Sequence, residues 1–313
     1  MSFQLSKVTI LGTGVWGSTL ANILKNNGHK VLTWSRSSEK TLESVVKEVD
    51  IVVSAVAMKG VRPTVEKLQA INISSKLIIV TATKGLDSDT THTPSKIWQQ
   101  AFPENPVVVL SGPNLSKEIR QNLPAATVTA SRDLAAAETV QEIFASDTFR
   151  VYVNDDPIGA ELGGTLKNVI AIAAGVCDGM QLGTNAKAAL ITRSLPEMIR
   201  IGTRLGARGE TFFGLSGLGD LIATCDSSLS RNYQVGYGLA QGKTLEEILA
   251  NIEGTAEGIN TTEVLVKIAN ERAIAIPIVR QVYRLLKGKI TPEEAIQALM
   301  ARELKPEFCD LEL

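Results

Sequence analysis

Lys167-Asn168 stands among apolar and small residues in the run from Glu161 to Gly175. Gly163, Gly164, Ala171, Ala173, Ala174 and Gly175 let another backbone come close, so the run reads as the start of a long, buried helix. An ammonium inside such a helix is costly unless paired, and burial favours its giving up a proton. The competing reading is a lysine whose head reaches water along its stem. Asp220 and Thr224 lie four apart in a glycine-rich stretch, Phe213 to Thr224, and share a face if it is helical. Ser230-Arg231-Asn232 reads as a helix start with Ser230 as N-cap. Arginine, asparagine and a hydroxyl there make a phosphate cradle, against the plainer reading of a cap with solvated neighbours. Lys84 follows an apolar run at what would be the carboxyl end of a strand, where ligands bind in open α/β sheets. Glu257 falls in a polar loop, Glu253 to Gly258, from which it could reach a ligand.

The elements that must position these groups start with a dinucleotide pattern. Val8 to Leu11 is a short strand that runs into Gly12-Thr13-Gly14-Val15-Trp16-Gly17, followed by a helical pattern from Ser18 to Asn27 with Gly28 as its C′ residue. A second strand is Lys30 to Trp34. G-x-G-x-x-G between strand and helix lets a pyrophosphate approach the backbone and places it on a helix N-terminus. A glycine turn of purely structural use is the alternative. The second strand ends in Ser35-Arg36 where an acidic residue would hold a ribose 2′-hydroxyl, so Arg36 can pair with a 2′-phosphate or stack on adenine. NADP(H) is therefore accepted and NAD(H) not excluded, unless Arg36 is a solvated loop charge.

Further strands are expected at Asp50 to Val56, Lys76 to Thr83, Pro106 to Gly112, Ala125 to Ala130 and Phe149 to Asn154, with a helix from Asp133 to Ala145. Strands alternating with helices predict an α/β, doubly wound sheet over residues 1–154. From Asp155 the pattern turns helical, which predicts a second, all-α domain over 155–313. It includes a helix from Ala186 to Leu205 kinked at Pro196, and capping boxes at Thr244-Leu245-Glu246-Glu247 and Thr291-Pro292-Glu293-Glu294.

Composition narrows the partners. The chain has 313 residues, 32 basic and 33 acidic, with a net charge of −1, which gives no reason to expect nucleic acid. Cys177, Cys225 and Cys309 match no metal or disulfide pattern and read as small buried hydrophobes. With His29 and His92 the only histidines, no metal is expected. The N-terminus, Met1 to Lys7, lacks a signal-peptide core, and no apolar run approaches the ~18 residues that span a bilayer. A soluble cytoplasmic protein is the expectation, and the small-residue face of the Lys167 helix and the many helices of the second domain could support a homodimer.

Taken together, Gly164 to Gly175, the G-x-G-x-W-G turn, Lys84-Gly85-Leu86, Ser111-Gly112-Pro113, Leu218-Gly219-Asp220-Leu221, Ser230-Arg231-Asn232 and Glu257-Gly258 resemble NAD(P)-dependent sn-glycerol-3-phosphate dehydrogenases. The resemblance runs in order through nearly the whole chain. It implies a Rossmann-type domain followed by a helical domain of the 6-phosphogluconate dehydrogenase C-terminal kind. It also implies reversible reduction of dihydroxyacetone phosphate to sn-glycerol 3-phosphate, supplying glycerophospholipid synthesis. By this resemblance Lys167 is the proton donor and acceptor, with Asn168, Asp220 and Thr224 as polar partners. Lys84, Gly112, Asn114, Lys167, Asp220, Ser230, Arg231 and Asn232 fall on substrate-contact positions. Gly12, Gly14, Val15, Trp16, Gly17, Arg36, Lys84, Ser116, Arg231 and Glu257 fall on cofactor-contact positions. Two departures stand out: Asn114-Leu115-Ser116 replaces the family's usual Ser/Thr-Phe-Ala, and the segment after Arg36 is short, as in cyanobacterial members. A related dehydrogenase acting on a 3-hydroxy acid or ketopantoate would need fewer cations. A redox sensor without chemistry would not need Lys167 and Asp220 together.

Overall fold

The structure is a computed structural model that describes residues 5–304 and 306–307. Met1 to Gln4, where the N-terminal reading begins, and Cys309 lie outside the described residues. The first half alternates: β1 (Lys7–Leu11), α1 (Val15–Asn26), β2 (Lys30–Trp34), α2 (Leu42–Val46), β3 (Ile51–Ser54), α3 (Val61–Gln69), β4 (Ile78–Thr81), α4 (Pro94–Ala101), β5 (Val107–Ser111), α5 (Ser116–Arg120), β6 (Ala125–Ala130), α6 (Leu134–Phe144) and β7 (Phe149–Asn154). The strands form one sheet in the order β2-β1-β3-β4-β5-β6-β7. It is parallel except where β6 runs against β5. Alternate strand residues feed two apolar layers. Val8, Ile10, Val53, Val80 and Val108 pack with Leu20 and Leu24 of α1 and Phe144 of α6. Leu11, Val52, Ile79 and Val107 pack with Val61, Val65 and Leu68 of α3 and Trp98 of α4. Cover on both faces is why these strands read as continuous apolar runs. The strand order reverses at β1, the place where open sheets of this kind hold dinucleotides.

Beyond β7 the described chain is helical: α7 (Pro157–Gly179), α8 (Gly183–Arg204), α9 (Asp220–Cys225), α10 (Arg231–Ala240), α11 (Leu245–Ala250), α12 (Glu257–Arg272), α13 (Pro277–Leu286) and α14 (Pro292–Met300). The chain divides into two compact units, one of which ends at Glu161, inside α7; the other takes Ser88–Thr91 and the chain from Leu162. Both capping boxes form, at Thr244 and Thr291. Helix α8 begins three residues before the expected Ala186 and runs on through Pro196.

The small residues of α7 are used within the chain. A Cβ on Gly163 would lie 2.6 Å from the Ser216 carbonyl oxygen, and one on Gly175 2.1 Å from that of Tyr233. From the other side, a Cβ on Gly236 of α10 would lie 1.8 Å from the Ile172 carbonyl oxygen. Backbone thus lies flush on backbone along this stripe, which corrects its reading as a dimer surface. Helix α7 is also long and apolar enough by composition to cross a bilayer, against the sequence expectation, but 94% of its apolar window is buried inside the protein. It is a core helix.

Two buried carboxylates serve as helix caps from a distance. Glu161 accepts the Ser95 N–H (2.8 Å) and the Ser95 hydroxyl at the start of α4. Glu197 accepts the N–H groups of Ile278 (3.0 Å) and Val279 (2.9 Å) in the first turn of α13. Both helices open with proline and lack a side-chain cap of their own, so the distant carboxylate takes N–H groups that would otherwise be orphaned. Burial outweighs these bonds and pushes each carboxyl up to about 7 from 4.5. A carboxyl raised in the folded state contributes stability that is whole below its unfolded value and lost as pH rises through about 7. Glu197→Gln removes that titration. The stability of the parent relative to Glu197→Gln should therefore fall between pH 5 and 8, on the order of 3 kcal/mol at full titration. Chemical denaturation at several pH values measures it, and a pH-independent difference would contradict the assignment.

Candidate active site

In the first unit, the turn between β1 and α1 is shaped by its glycines. Gly12 has φ +105, and a Cβ there would lie 2.6 Å from the Ala55 carbonyl oxygen. A Cβ on Gly17 would lie 2.0 Å from the Gly12 carbonyl oxygen. Gly14 differs: a Cβ there meets nothing within 4 Å. The protein itself gives no steric reason for that glycine, whereas a pyrophosphate laid against the backbone does. Helix α1 has no side-chain cap and no acidic residue in its first turn, so its N-terminus suits an anion. Arg120 holds this end, donating to Thr19 Oγ1 (2.9 Å) and the Val15 carbonyl (3.0 Å). Val15 is exposed, and Trp16 packs partly into the core. Arg36 stands exposed on a turn braced by the Ser35 N–H donating to Ser38 Oγ (2.8 Å). These residues fit a dinucleotide.

At the ends of β4 and β5 the half-buried Lys84 donates to the Gly112 carbonyl (3.3 Å). Asn114 donates to Thr127 Oγ1 (3.0 Å), which in turn donates to the Ser111 carbonyl (3.0 Å). The other end of the Asn114 amide, Oδ1, is buried and unpartnered. Ser116 opens the short α5 and is half-buried. Lys84, Gly112 and Asn114 therefore gather beyond the carboxyl ends of β4 and β5.

In the second unit, Lys167 is 7% exposed, which excludes the reading of a head in water. Its ammonium lies 2.5 Å from Asp220 Oδ1 and donates to Thr224 Oγ1. Asp220 and Thr224 sit one turn apart on α9, and the Thr224 hydroxyl donates to Asp220 Oδ1 (3.3 Å). Asp220 is 1% exposed, so the cation and its counter-charge are buried together. Before α9, Leu215–Gly219 forms a π-turn that delivers Asp220 to Lys167, a geometry that glycine content alone did not reveal.

Asn168 follows on the same helix. Asn232 donates to Asn168 Oδ1 (3.0 Å) and accepts the Gly258 N–H (2.9 Å), so its amide bridges α7 and the start of α12. Glu257 is the first residue of α12, which corrects its placement in a loop: Ala256 is the N-cap and the helical turn begins at Glu257 itself. Ser230 caps α10 through the Tyr233 N–H (3.3 Å). Arg231 opens α10, exposed, with its guanidinium against Gly254, where a Cβ would lie 2.5 Å from Nη1. The starts of α10 and α12 thus meet at Asn232, and the N-terminus of α10, which has no acidic residue in its first turn, favours an anion near Arg231.

Sequence reasoning missed a polar node below these helices. Lys187 of α8 lies 2.8 Å from Asp178 Oδ2 and 3.1 Å from Asp226 Oδ1, and Tyr233 donates to the same Asp178 oxygen (2.7 Å). Burial opposes the Lys187 charge, but the bonds to Asp178 and Asp226 prevail and hold its pKa above the usual lysine value. Nine positions separate Asp178 from Lys187 across two helices, a spacing with no local signature. Cys225 is buried and its thiol is pushed up to about 12 by burial; Cys177 is half-buried. Among the described residues no group of three or more His, Cys, Asp or Glu could hold a metal.

The chain is similar to known proteins over nearly its whole length. The family model for the NAD-dependent glycerol-3-phosphate dehydrogenase N-terminus matches residues 7–43 and 38–137, and that for the C-terminus matches 156–297. A curated relative from Synechocystis sp., glycerol-3-phosphate dehydrogenase (NAD(P)+), is 63% identical over 98% of this chain and 97% of its own. A crystal structure of glycerol-3-phosphate dehydrogenase from Coxiella burnetii superposes with TM-score 0.91 at 34% identity, covering 95% of this chain and 99% of that one. A ketopantoate reductase from Ralstonia eutropha reaches TM-score 0.57 at 14% identity over 93% and 99% of the two chains, a likeness of fold alone.

Proposed function

The chain belongs to the NAD-dependent glycerol-3-phosphate dehydrogenase family, and we propose that it reduces dihydroxyacetone phosphate reversibly to sn-glycerol 3-phosphate with Lys167 as proton donor and acceptor. The observation that carries this reading is the buried Lys167–Asp220–Thr224 cluster. When bound, the nicotinamide supplies or takes the hydride at C2. Lys167 Nζ gives its proton to the C2 oxygen as the carbonyl is reduced, and takes one back from the C2 hydroxyl in the reverse direction. Asp220 keeps the ammonium in place where burial alone would expel it. Asp220 and Thr224 each fix one N–H direction of the ammonium, so its head is oriented before substrate arrives.

Arg231, Ser230 and the start of α10 receive the substrate phosphate, with Asn232, bonded to Asn168 and to the Gly258 N–H, holding that start in place. Lys84, Gly112 and Asn114 keep the substrate roles that the resemblance implies, and Trp16, Ser116 and Glu257 the cofactor roles. The enzyme works in the cytoplasm on a small soluble substrate, and its product is a glycerophospholipid precursor. A homodimer has to form elsewhere than on the α7 stripe.

The test is loss of nicotinamide absorbance with dihydroxyacetone phosphate, run with NADPH and with NADH, against dihydroxyacetone as control. Oxidation that requires the phosphate is expected with at least one cofactor. Arg36→Ala should raise KM for NADPH about tenfold while leaving NADH within about twofold, the loss of one charge-assisted contact. Silence with both cofactors despite measurable binding would overturn the substrate assignment and turn attention to ketopantoate-type substrates.

A further inference from the structure

The distance between the acid pair and the anion subsite depends on how α9 sits against α10. Helix α9 carries Asp220 and Thr224; α10 begins with Arg231 and Asn232. They are joined by the short loop Asp226 to Ser230, which is braced within itself by the Ser230 N–H donating to the Ser227 carbonyl (3.0 Å) and Gln234 donating to the Ser228 carbonyl (2.9 Å). Lys187 ties both ends of the loop to the rest of the unit, beside the Asn232–Asn168 bond and the close backbone contact of α10 with α7. Its Nζ holds Asp226, the C-cap of α9, at 3.1 Å and Asp178 of α7 at 2.8 Å. Asp178 also accepts the Tyr233 hydroxyl, two residues past Arg231, and Nζ lies 5.7 Å from the centre of the Tyr233 ring. One cation from α8 therefore ties α7, α9 and α10, the three helices that carry Lys167, Asp220 and Arg231.

We propose that Lys187 is a positioning residue for the anion subsite: through Asp226 on one side and the Asp178–Tyr233 pair on the other, it sets Arg231 at its working distance from the Lys167–Asp220 pair. The two legs are unequal. The Asp226 side chain is 81% exposed and the Asp178 side chain 31%. An exposed pair is worth little, so the Asp178–Tyr233 leg carries most of the effect. Loosening this tie leaves Lys167 held by Asp220 and Thr224. Substrate binding suffers more than the proton transfer.

The inference rests on the reading of Arg231 as the phosphate contact, and the experiment separates the two. With parental enzyme active on dihydroxyacetone phosphate, Lys187→Met should raise KM for that substrate about tenfold, and the inhibition constant of inorganic phosphate by the same factor, a coupling of ordinary size for residues in one network. Turnover should stay within about threefold of the parent, since Lys167 keeps its own partners, Asp220 and Thr224. Lys187→Arg, which keeps the charge, should restore most of the substrate KM. If Lys187→Met does not fold, Tyr233→Phe removes one hydroxyl from the better-buried leg and should show the same split at about threefold. A substrate KM unchanged within about twofold, or equal losses in turnover, KM and cofactor affinity with no rescue by arginine, would overturn the proposal and leave Lys187 a scaffold ion pair. A parent inactive on dihydroxyacetone phosphate that still binds inorganic phosphate by calorimetry, with that binding weakened by Lys187→Met, would sink the substrate reading and keep the positioning role.

Discussion

Replacing Lys167 by alanine is expected to slow turnover by ~10²–10⁴-fold, the usual worth of a positioned acid, while NADPH binds with close to parental affinity. The group that delivers the proton at C2 is lost, whereas the β1–α1 turn that fits the dinucleotide is untouched. Alanine also leaves the Asp220 carboxylate 1% exposed without the Lys167 cation beside it, so part of any loss reflects a weakened unit. Lys167→Arg separates the two effects. A guanidinium keeps the positive charge beside Asp220 but does not give up a proton at accessible pH. It should be as slow as alanine yet closer to the parent in stability. Stopped-flow and steady-state assays well below the melting temperature, with cofactor binding followed by fluorescence, check both points. An alanine variant that retained more than about a tenth of parental turnover would remove Lys167 from the proton-transfer role.

Much of the geometry behind that expectation was legible in the chain itself, because it is local. Strands such as Ile51–Ser54 and Ile78–Thr81 are buried on both faces, and the sequence shows this as unbroken apolar runs. Ser230, Thr244 and Thr291 announce helix starts through their own side chains, and all three form the expected caps. The spacing of Asp220 and Thr224 reported a shared face correctly, because an α-helix repeats every 3.6 residues. What escaped is long-range. Ser95 with Glu161, Glu197 with Val279, and Lys187 with Asp178 and Asp226 are pairs brought together only by packing. Neither partner carries a local pattern that names the other. The misplaced start of α12 has a similar origin: Ala256 is the N-cap without a side chain able to advertise it. Gly163 and Gly175 were legible as sites of close approach, but not the identity of what approaches, and that is why an intrachain contact with α10 could be taken for a dimer surface.

Asp220→Asn should cost both stability and turnover, and in different ways. The substitution keeps the shape and an acceptor for Lys167 but removes the charge that lets the ammonium stay buried. An uncompensated buried ion costs about 3–5 kcal/mol, so the denaturation midpoint should drop accordingly. Turnover should fall by about 10²-fold, since the proton donor is no longer held in one orientation. If the pair existed for stability, replacing both partners by apolar residues would be as damaging as breaking it. Desolvating two charges is so expensive that the opposite is expected here: Lys167→Met with Asp220→Leu should regain most of the stability lost in Asp220→Asn while remaining as inactive as Lys167→Ala. Unfolding curves and turnover on the same preparations make the comparison. A double variant that stayed as unstable as the single one would mean that the pair is structural cement. A stable, inactive double variant would mean that this buried cation is tolerated at a cost in folding free energy because the reaction needs a proton at that point.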